Sequence, residues 1–239
     1  MYNKFVKTSN VERFLGAVGS IEDRGAPEAC IILVDGDAGL GKSRTGQWWA
    51  IKNNAVQIRI KAAATPHWVL TDLVRELGEQ APATSCEKLY GQAIGYLLKD
   101  PRPIVVDEVE NGLRDIRVLE TIRDLVESAE IPTAFVGREY VLGKLKAYKH
   151  FSTRIGARAE FSLLTLNDVT LCVKELCEVD VPQDVIEQIH AESNGHVREV
   201  VKAIKAVERI GKRNKGAVSM DLIGGQRLVY EHMGRKRAA

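Results

Sequence analysis

Short apolar runs alternate with amphipathic segments along the first two-thirds of the chain. Three of these runs predict strands, at residues 29–35, 103–108 and 133–137, and the alternating residues 56–60 predict another. Between them, apolar residues recur at helical spacing over residues 42–51, 68–77 and 118–126. Strands that alternate with helices are typical of a mostly parallel sheet covered on both faces. We therefore predict an α/β domain over residues 1–160.

The pattern changes after about residue 161. Three further segments have helical spacing of their apolar residues, at 166–176, 184–191 and 197–210, and no strong strand pattern lies among them. The sequence thus predicts a second, smaller and all-helical domain over residues 161–239.

The composition is that of a soluble globular protein, with 45% hydrophobic and 28% charged residues. No apolar run approaches the roughly 20 residues of a membrane-spanning helix. The first residues carry charges but no apolar segment behind them, unlike a signal peptide. The four cysteines are scattered, which indicates neither a zinc site nor a disulfide framework. These features favour a cytoplasmic protein with no membrane partner.

The formal net charge of +2 conceals an uneven distribution. From residue 198 to the end, eleven Lys and Arg residues stand against four Asp and Glu residues, a local net charge of +7. A basic region on a slightly acidic body suggests a polyanionic partner. A solvated helix face followed by a charged terminus is an equally good interpretation from charge alone.

A glycine-rich octapeptide joins the first predicted strand to the first predicted helix: Gly36-Asp37-Ala38-Gly39-Leu40-Gly41-Lys42-Ser43. Its glycines allow several backbone N–H groups to turn around phosphate oxygens. Lys42 supplies a positive charge to the β- and γ-phosphates, and Ser43 supplies a hydroxyl to Mg²⁺. The strand–loop–helix context favours this function over a chance turn. We predict that the octapeptide binds ATP with Mg²⁺.

Two acidic residues end the third predicted strand. A carboxylate at this position emerges at the carboxyl edge of a parallel sheet, beside the phosphate loop. Asp107 is therefore a candidate to hold Mg²⁺ through water, and Glu108 to orient the attacking water. An ordinary acidic turn is the alternative, which the phosphate loop disfavours. Glu110 lies close to Asp107 and Glu108 in sequence, and no role is predicted for it.

Two arginines are candidates for contacts with the phosphates. Arg154 follows a basic segment and is placed to reach the γ-phosphate of a neighbouring subunit. A surface salt bridge is the alternative for Arg154, and Arg158 competes for the same role. Arg198 opens a helix of the second domain, where it would fold back over the phosphates or simply carry surface charge.

Taken in order, these motifs resemble those of AAA+ ATPases over roughly residues 8–210. More narrowly, residues 8–14 and 64–68 together with Asp107 and Glu108 resemble the ATPases of DNA transposition, of the phage Mu B, Tn7 and Tn552 types. The resemblance implies a P-loop AAA+ core, with a parallel sheet flanked by helices, followed by a small all-α lid domain.

The resemblance also implies roles for individual residues. Residues 36–43 match Walker A, and Asp107 and Glu108 match Walker B. Arg154 matches the arginine finger and Arg198 matches sensor 2, while residues 8–11 would lie near the adenine. The sequence departs from the family at sensor 1, where Arg138 replaces the Asn or Thr of many relatives. Either Arg138 contacts phosphate, or it is a surface residue and hydrolysis is slow.

The function that the resemblance implies is ATP-dependent assembly of a homo-oligomeric ring or filament on duplex DNA. Such a filament would select or deliver target DNA for a transposase, with little regard to base sequence. Two alternatives stay open. One is a replication initiator or helicase loader, which usually adds a winged-helix or helix-turn-helix domain. The other is a secretion-type protein-remodelling ATPase, which usually carries a membrane segment.

The basic residues that contact DNA are predicted from the charge excess after residue 198. The expected phosphate contacts are Lys212, Arg213, Lys215, Arg235, Lys236 and Arg237. Alternative paths for the DNA run along Lys144, Lys146 and Lys149, or along Arg59 and Lys61.

Overall fold

A computed structural model describes residues 1–216 and 218–229 and divides into two compact units. The first unit is residues 10–162. The second is residues 1–9 together with the described residues from 163 onward. No helix in the described ranges is both long and apolar enough to cross a membrane.

The first unit is built on a five-stranded sheet in which every pairing is parallel. The order β2-β3-β4-β1-β5 places two strands between β1 and β2. The strands are β1 (Ile31–Asp35), β2 (Val56–Arg59), β3 (Ile104–Asp107), β4 (Thr133–Val136) and β5 (Ile155–Glu160). The central strands are rich in Val, Ile and Leu because both of their faces are buried.

Helices cover both faces of this sheet. They are α1 (Ser9–Glu22), α2 (Lys42–Lys52), α3 (Pro66–Glu76), α4 (Cys86–Lys99), α5 (Ile116–Ser128), α6 (Val141–Leu145) and α7 (Lys149–Ser152), and a 3₁₀ helix spans Val109–Arg114. Alternate residues of β1 pack into the helical layers on the two faces of the sheet. Leu33 belongs to the apolar cluster of α3, α4 and α5, whereas Ile32 belongs to that of α1 and α2. In the second layer, Phe14 and Trp49 meet edge to face at 5.7 Å.

The predicted α/β fold is confirmed, and all four predicted strands are present. Strand β5 was not predicted from the sequence. Residues Ile155–Glu160 form no apolar run, because this edge strand pairs only with β1 and alternates small residues with exposed charged ones. Helix α4 was not predicted either, although Leu89, Ala93 and Leu97 repeat every four residues and are buried.

The second unit is helical, as predicted, with α8 (Leu166–Leu176), α9 (Gln183–Ser193), α10 (Val197–Arg213) and α11 (Met220–Ile223). Thr165 and Asp168 form a capping box that starts α8. Between α9 and α10, Gly195 adopts a φ of +71°, and a Cβ there would lie 2.6 Å from the carbonyl oxygen of Leu164. A glycine is therefore required at this turn.

The first nine residues group with the helical unit, whereas the sequence analysis places residues 1–160 in one domain. The Tyr2 N–H donates to the Leu176 carbonyl at 2.8 Å. Ser9 donates to the Asp168 carboxylate from its backbone N–H at 2.7 Å and from its hydroxyl at 2.8 Å. Burial alone would raise the pKa of Asp168, but the hydrogen bonds from Ser9 and Thr165 outweigh it and lower the pKa. Tyr2 and Ser9 are far in sequence from their partners Leu176 and Asp168, so no local pattern indicates these contacts.

Candidate nucleotide-binding site

The glycine-rich loop leaves the carboxyl end of β1 and leads directly into α2. Gly36 has a φ of +143°, and a Cβ there would lie 2.4 Å from the carbonyl oxygen of Phe161. Gly41, with a φ of +91°, takes the left-handed conformation directly before α2 begins at Lys42. Both glycines are thus required by the path of the backbone, and the loop sits at the amino end of a helix, where anions are favoured.

Lys42 is held against this loop. Its Nζ donates to the carbonyl oxygens of Gly36 at 2.7 Å and Asp37 at 2.6 Å. Burial lowers the pKa of Lys42, while the negative charges of Glu110 and Glu139 oppose that shift. The ammonium group therefore lies at the loop with its hydrogen bonds already directed inward.

Ser43, in the first turn of α2, contacts Asp107 at the end of β3, although β1, which leads into α2, is not a neighbour of β3. The Ser43 hydroxyl donates to Oδ1 of Asp107 at 3.0 Å, and Asp107 is only 2% exposed. In the sheet order, β4 separates β1 from β3. The contact thus joins the loop to the acidic strand end across the carboxyl edge of the sheet.

Glu108 is positioned by its backbone and by Asn111. Its φ of +55° is left-handed, which costs roughly 1 kcal/mol for a residue other than glycine. Asn111 donates from Nδ2 to Oε2 of Glu108 at 3.3 Å and to the carbonyl oxygen of Ile60 at 2.9 Å. Asn111 was not among the residues predicted from the sequence. Its position three residues after Glu108, within a tight turn, is the only signal it offers.

Arg59 belongs to the same group, a contact that the sequence analysis did not anticipate. Its Nη2 lies 3.3 Å from Oδ2 of Asp107, and its Nε lies 3.8 Å from Oε1 of Glu108. In the sheet, Arg59 is the register partner of Asp107, which brings both side chains to the same edge. Knowledge that β2 neighbours β3 would have predicted the contact.

Arg138 follows β4, the strand between β3 and β1. Its Nε donates to Oε1 of Glu110 at 3.2 Å, which gives Glu110 a partner. The guanidinium therefore lies at the carboxyl edge, on the strand between the phosphate loop and the acidic pair.

Arg154 lies at the opposite edge of the sheet. Its carbonyl oxygen accepts from the N–H of Ile31, the first residue of β1, at 3.1 Å. At about 3.3 Å per residue, the four steps to Asp35 place the loop roughly 13 Å further along β1. The guanidinium pairs with Glu127 at 2.8 Å. The structure does not bring Arg154 to the phosphate loop of its own chain.

Arg158, the competing candidate, makes a different contact. Its Nε and Nη2 donate to the two carboxylate oxygens of Asp35 at 2.9 and 2.8 Å, and Asp35 is fully buried. This bidentate pair joins β5 to β1. Arg158 is therefore engaged in holding the sheet together.

The remaining predicted residues lie in the helical unit. Arg198 is exposed on the first turn of α10. Lys212 pairs with Glu178 at 2.6 Å and with Glu208 at 2.8 Å, whereas Arg213 and Lys215 are exposed. The predicted DNA contacts Arg235, Lys236 and Arg237 lie outside the described residues.

Comparison with known protein families finds a match within the first unit. Residues 27–145, which contain the loop and the acidic strand end, match the family model described as an AAA domain. The chain contains an AAA-type P-loop ATPase domain. No curated protein sequence matches it significantly.

Solved structures share the fold of this ATPase domain and its helical unit. The Aeropyrum pernix ORC1 protein in complex with DNA aligns over 93% of the chain, with 17% identity and a TM-score of 0.61. A point mutant of Thermotoga maritima RuvB aligns over 92%, with 17% identity and a TM-score of 0.62. Cdc6p from Pyrobaculum aerophilum aligns over 90%, with 15% identity and a TM-score of 0.61. The chain spans 65%, 69% and 65% of these proteins, respectively.

Proposed function

We propose that the ATPase domain hydrolyses ATP with Mg²⁺ and that ATP binding assembles copies of the chain on duplex DNA. The observation that carries this proposal is the hydrogen bond between Ser43 and Asp107, at 3.0 Å. It unites a phosphate-binding loop with a buried carboxylate, and Glu108 follows directly. Binding and hydrolysis of a nucleoside triphosphate need this combination.

The residues at the carboxyl edge of the sheet have different roles in ATP binding and hydrolysis. The loop N–H groups and Lys42 bind the phosphates, and the dipole of α2 adds to their attraction. The Ser43 hydroxyl and the Asp107 carboxylate are hard oxygen donors that suit Mg²⁺. When bound, Mg²⁺ neutralises charge on the phosphates. Glu108, which Asn111 holds, orients the attacking water and accepts its proton.

Arg154 acts on a neighbouring copy in this proposal. Arg154 lies at the far edge of the sheet from its own loop, and its half-buried side chain, 30% exposed, can face a second subunit. The guanidinium then exchanges Glu127 for the γ-phosphate of that subunit and stabilises the charge that develops during transfer. Arg198 serves as the second phosphate sensor, from the helical unit.

The finer proposal concerns the purpose of the assembly. The residue motifs resemble transposition ATPases, so we infer that the filament or ring presents target DNA to a transposase. A replication initiator is the second candidate, because the fold is similar to that of an ORC1 protein whose structure contains DNA. Stimulation of a transposase from the same genome supports the first purpose. Loading of a replicative helicase supports the second.

The decisive experiment is electron microscopy and sedimentation of the protein with linear duplex DNA, in the presence of ATP, in the presence of ADP and without nucleotide. Rings or filaments on DNA that require ATP support the proposal. Lys42→Ala should prevent them, because it removes the ammonium group from the loop. Lys52→Ala is the matched control, since Lys52 is exposed in the last turn of the same helix. Rings or filaments that form on DNA without ATP, or that Lys42→Ala still forms, would refute the proposal.

A further inference from the structure

A basic groove lies on the helical unit, and its described lining residues include none of the residues proposed above to bind nucleotide. Its volume is about 1010 Å³, and α10 and residues 226–228 line it. Six of its lining residues are cationic: Lys202, Lys205, Arg209, Lys212, Arg213 and Arg227. Among the described residues that line this groove, Glu208 is the only acidic one. We call this feature the α10 groove.

The cations of α10 form a single row because of their spacing. Lys202, Lys205, Arg209 and Lys212 follow one another at intervals of three, four and three residues, which is one face of a helix. The opposite face is buried in the apolar core of the helical unit through Val200, Ile204 and Val207, among others. At 1.5 Å per residue, the row from Lys202 to Arg213 is about 16 Å long.

Three of these cations have their charge free for a ligand. Lys212 pairs with Glu178 and Glu208, and Lys202 pairs with Glu199. Within the described part of the chain, no ion pair involves Lys205, Arg209 or Arg213, and all three are exposed. The Lys212 pair also neutralises Glu208, so none of the lining residues that the structure describes is an unpaired acid that would repel an anion.

The second wall of the groove is anchored to the helical core. The N–H groups of Leu228 and Val229 donate to Oε2 of Glu192 at 2.7 and 3.2 Å. Both side chains are buried in the core of the helical unit. The wall opposite α10 is therefore fixed, and the groove needs little ordering when a ligand binds.

We propose that the α10 groove holds the phosphate backbone of duplex DNA, with Lys205, Arg209 and Arg213 as the principal contacts. This inference rests on the proposed function, in which DNA is the partner. Phosphates along one strand of B-DNA are spaced by 3.4 Å along the helix axis, so a row of about 16 Å spans roughly five of them. Such contacts carry no sequence information, which agrees with assembly on DNA of any sequence.

The test compares two triple variants of the full chain that each remove three positive charges. Lys205→Gln/Arg209→Gln/Arg213→Gln changes the α10 groove. Lys144→Gln/Lys146→Gln/Lys149→Gln changes the exposed cations of the ATPase domain, which offer the alternative path. Affinity for a short fluorescent duplex is measured by anisotropy across a series of salt concentrations. ATP affinity and melting temperature are measured in parallel.

The groove variant should show a shallower dependence of log affinity on log salt, by about 0.9 per lost contact and up to about 2.7 for three. The matching loss of affinity is up to about 500-fold at 0.1 M salt and shrinks towards 1 M. Its ATP affinity and melting temperature should remain those of the wild type, because the three side chains are exposed and form no ion pair with another described residue. The ATPase-domain variant should bind DNA like the wild type.

Three results would overturn the inference. An unchanged salt slope in the groove variant, with a loss in the other variant, would move the DNA to the ATPase domain while the proposed function stands. Competition by polyglutamate as strong as by DNA would assign the groove to acidic proteins. A wild-type protein that binds no duplex at low salt would remove both this inference and the DNA part of the proposed function.

Discussion

The guanidinium of Arg59 lies 3.3 Å from the Asp107 carboxylate, the proposed Mg²⁺ ligand. The same side chain is 3.8 Å from Glu108, so one cation faces both acidic residues of the site. Asp107 is buried, whereas Arg59 is 60% exposed. Arg59 can therefore leave the pair at small cost, since an exposed partner contributes about 1 kcal/mol or less.

Removal of Arg59 should lower the Mg²⁺ concentration that ATP hydrolysis requires. Arg59→Ala takes away the cation that competes for Asp107, so the Mg²⁺ concentration for half-maximal hydrolysis should fall, by up to about fivefold. Titration of ATPase activity with Mg²⁺ measures this. Arg59→Lys retains the charge and should behave more like the wild type. A higher Mg²⁺ requirement in Arg59→Ala would show that Arg59 assists metal binding.

Glu108→Gln should bind ATP normally but hydrolyse it at least about 10²-fold more slowly, because the group that accepts the proton of water is lost. It should also keep the assembled state on DNA. Asn111→Ala should lower kcat by less and leave KM unchanged, since Asn111 acts through Glu108. Glu110→Gln is the control. Normal turnover by Glu108→Gln together with loss in Glu110→Gln would transfer the role to Glu110.

Arg154→Ala should hydrolyse ATP on the order of 10³-fold more slowly if the arginine serves a neighbouring subunit. Mixing Arg154→Ala with Lys42→Ala should restore part of the activity, because an intact loop then meets an intact arginine. Glu127→Gln is a control that removes the ion-pair partner but leaves Arg154 in place, and it should remain active. No recovery at any mixing ratio would contradict action between subunits.

Arg158→Ala should destabilise the protein by at most about 3 kcal/mol, because it leaves the buried Asp35 carboxylate without its partner. Partial exposure of the guanidinium reduces the cost, since water replaces some of its contacts. Chemical denaturation measures the change. Glu160→Gln removes the exposed partner of the same arginine and should change stability by less than about 1 kcal/mol. If Arg158→Ala kept full stability and lost hydrolysis, Arg158 would be a catalytic residue.

The sequence predicts those parts of the fold that depend on local burial. Strands β1, β3 and β4 are short apolar runs, and β2 alternates Val56 and Ile58 with polar residues. The octapeptide is recognised from its glycines and Lys42. Strand β5 is not predictable in this way, because an edge strand of small and charged residues has no run of apolar residues. Strand order is not contained in local patterns either. For this reason the contact between Arg59 and Asp107, which depends on β2 lying beside β3, is not predictable from spacing.

The opposite ends of β1 give any assembly of this chain a direction. If Arg154 at the amino end completes a site at the carboxyl end of the next copy, the two faces that meet are different, and the contact is head-to-tail. Such a contact cannot be satisfied by a two-fold dimer. The two ends of an open filament are then different. At one end the phosphate loop of the last subunit has no Arg154 from a neighbour, and at the other end Arg154 of the last subunit faces no ATP. Only the end subunit whose loop lacks that arginine would retain its ATP, whereas closure into a ring would remove that exception.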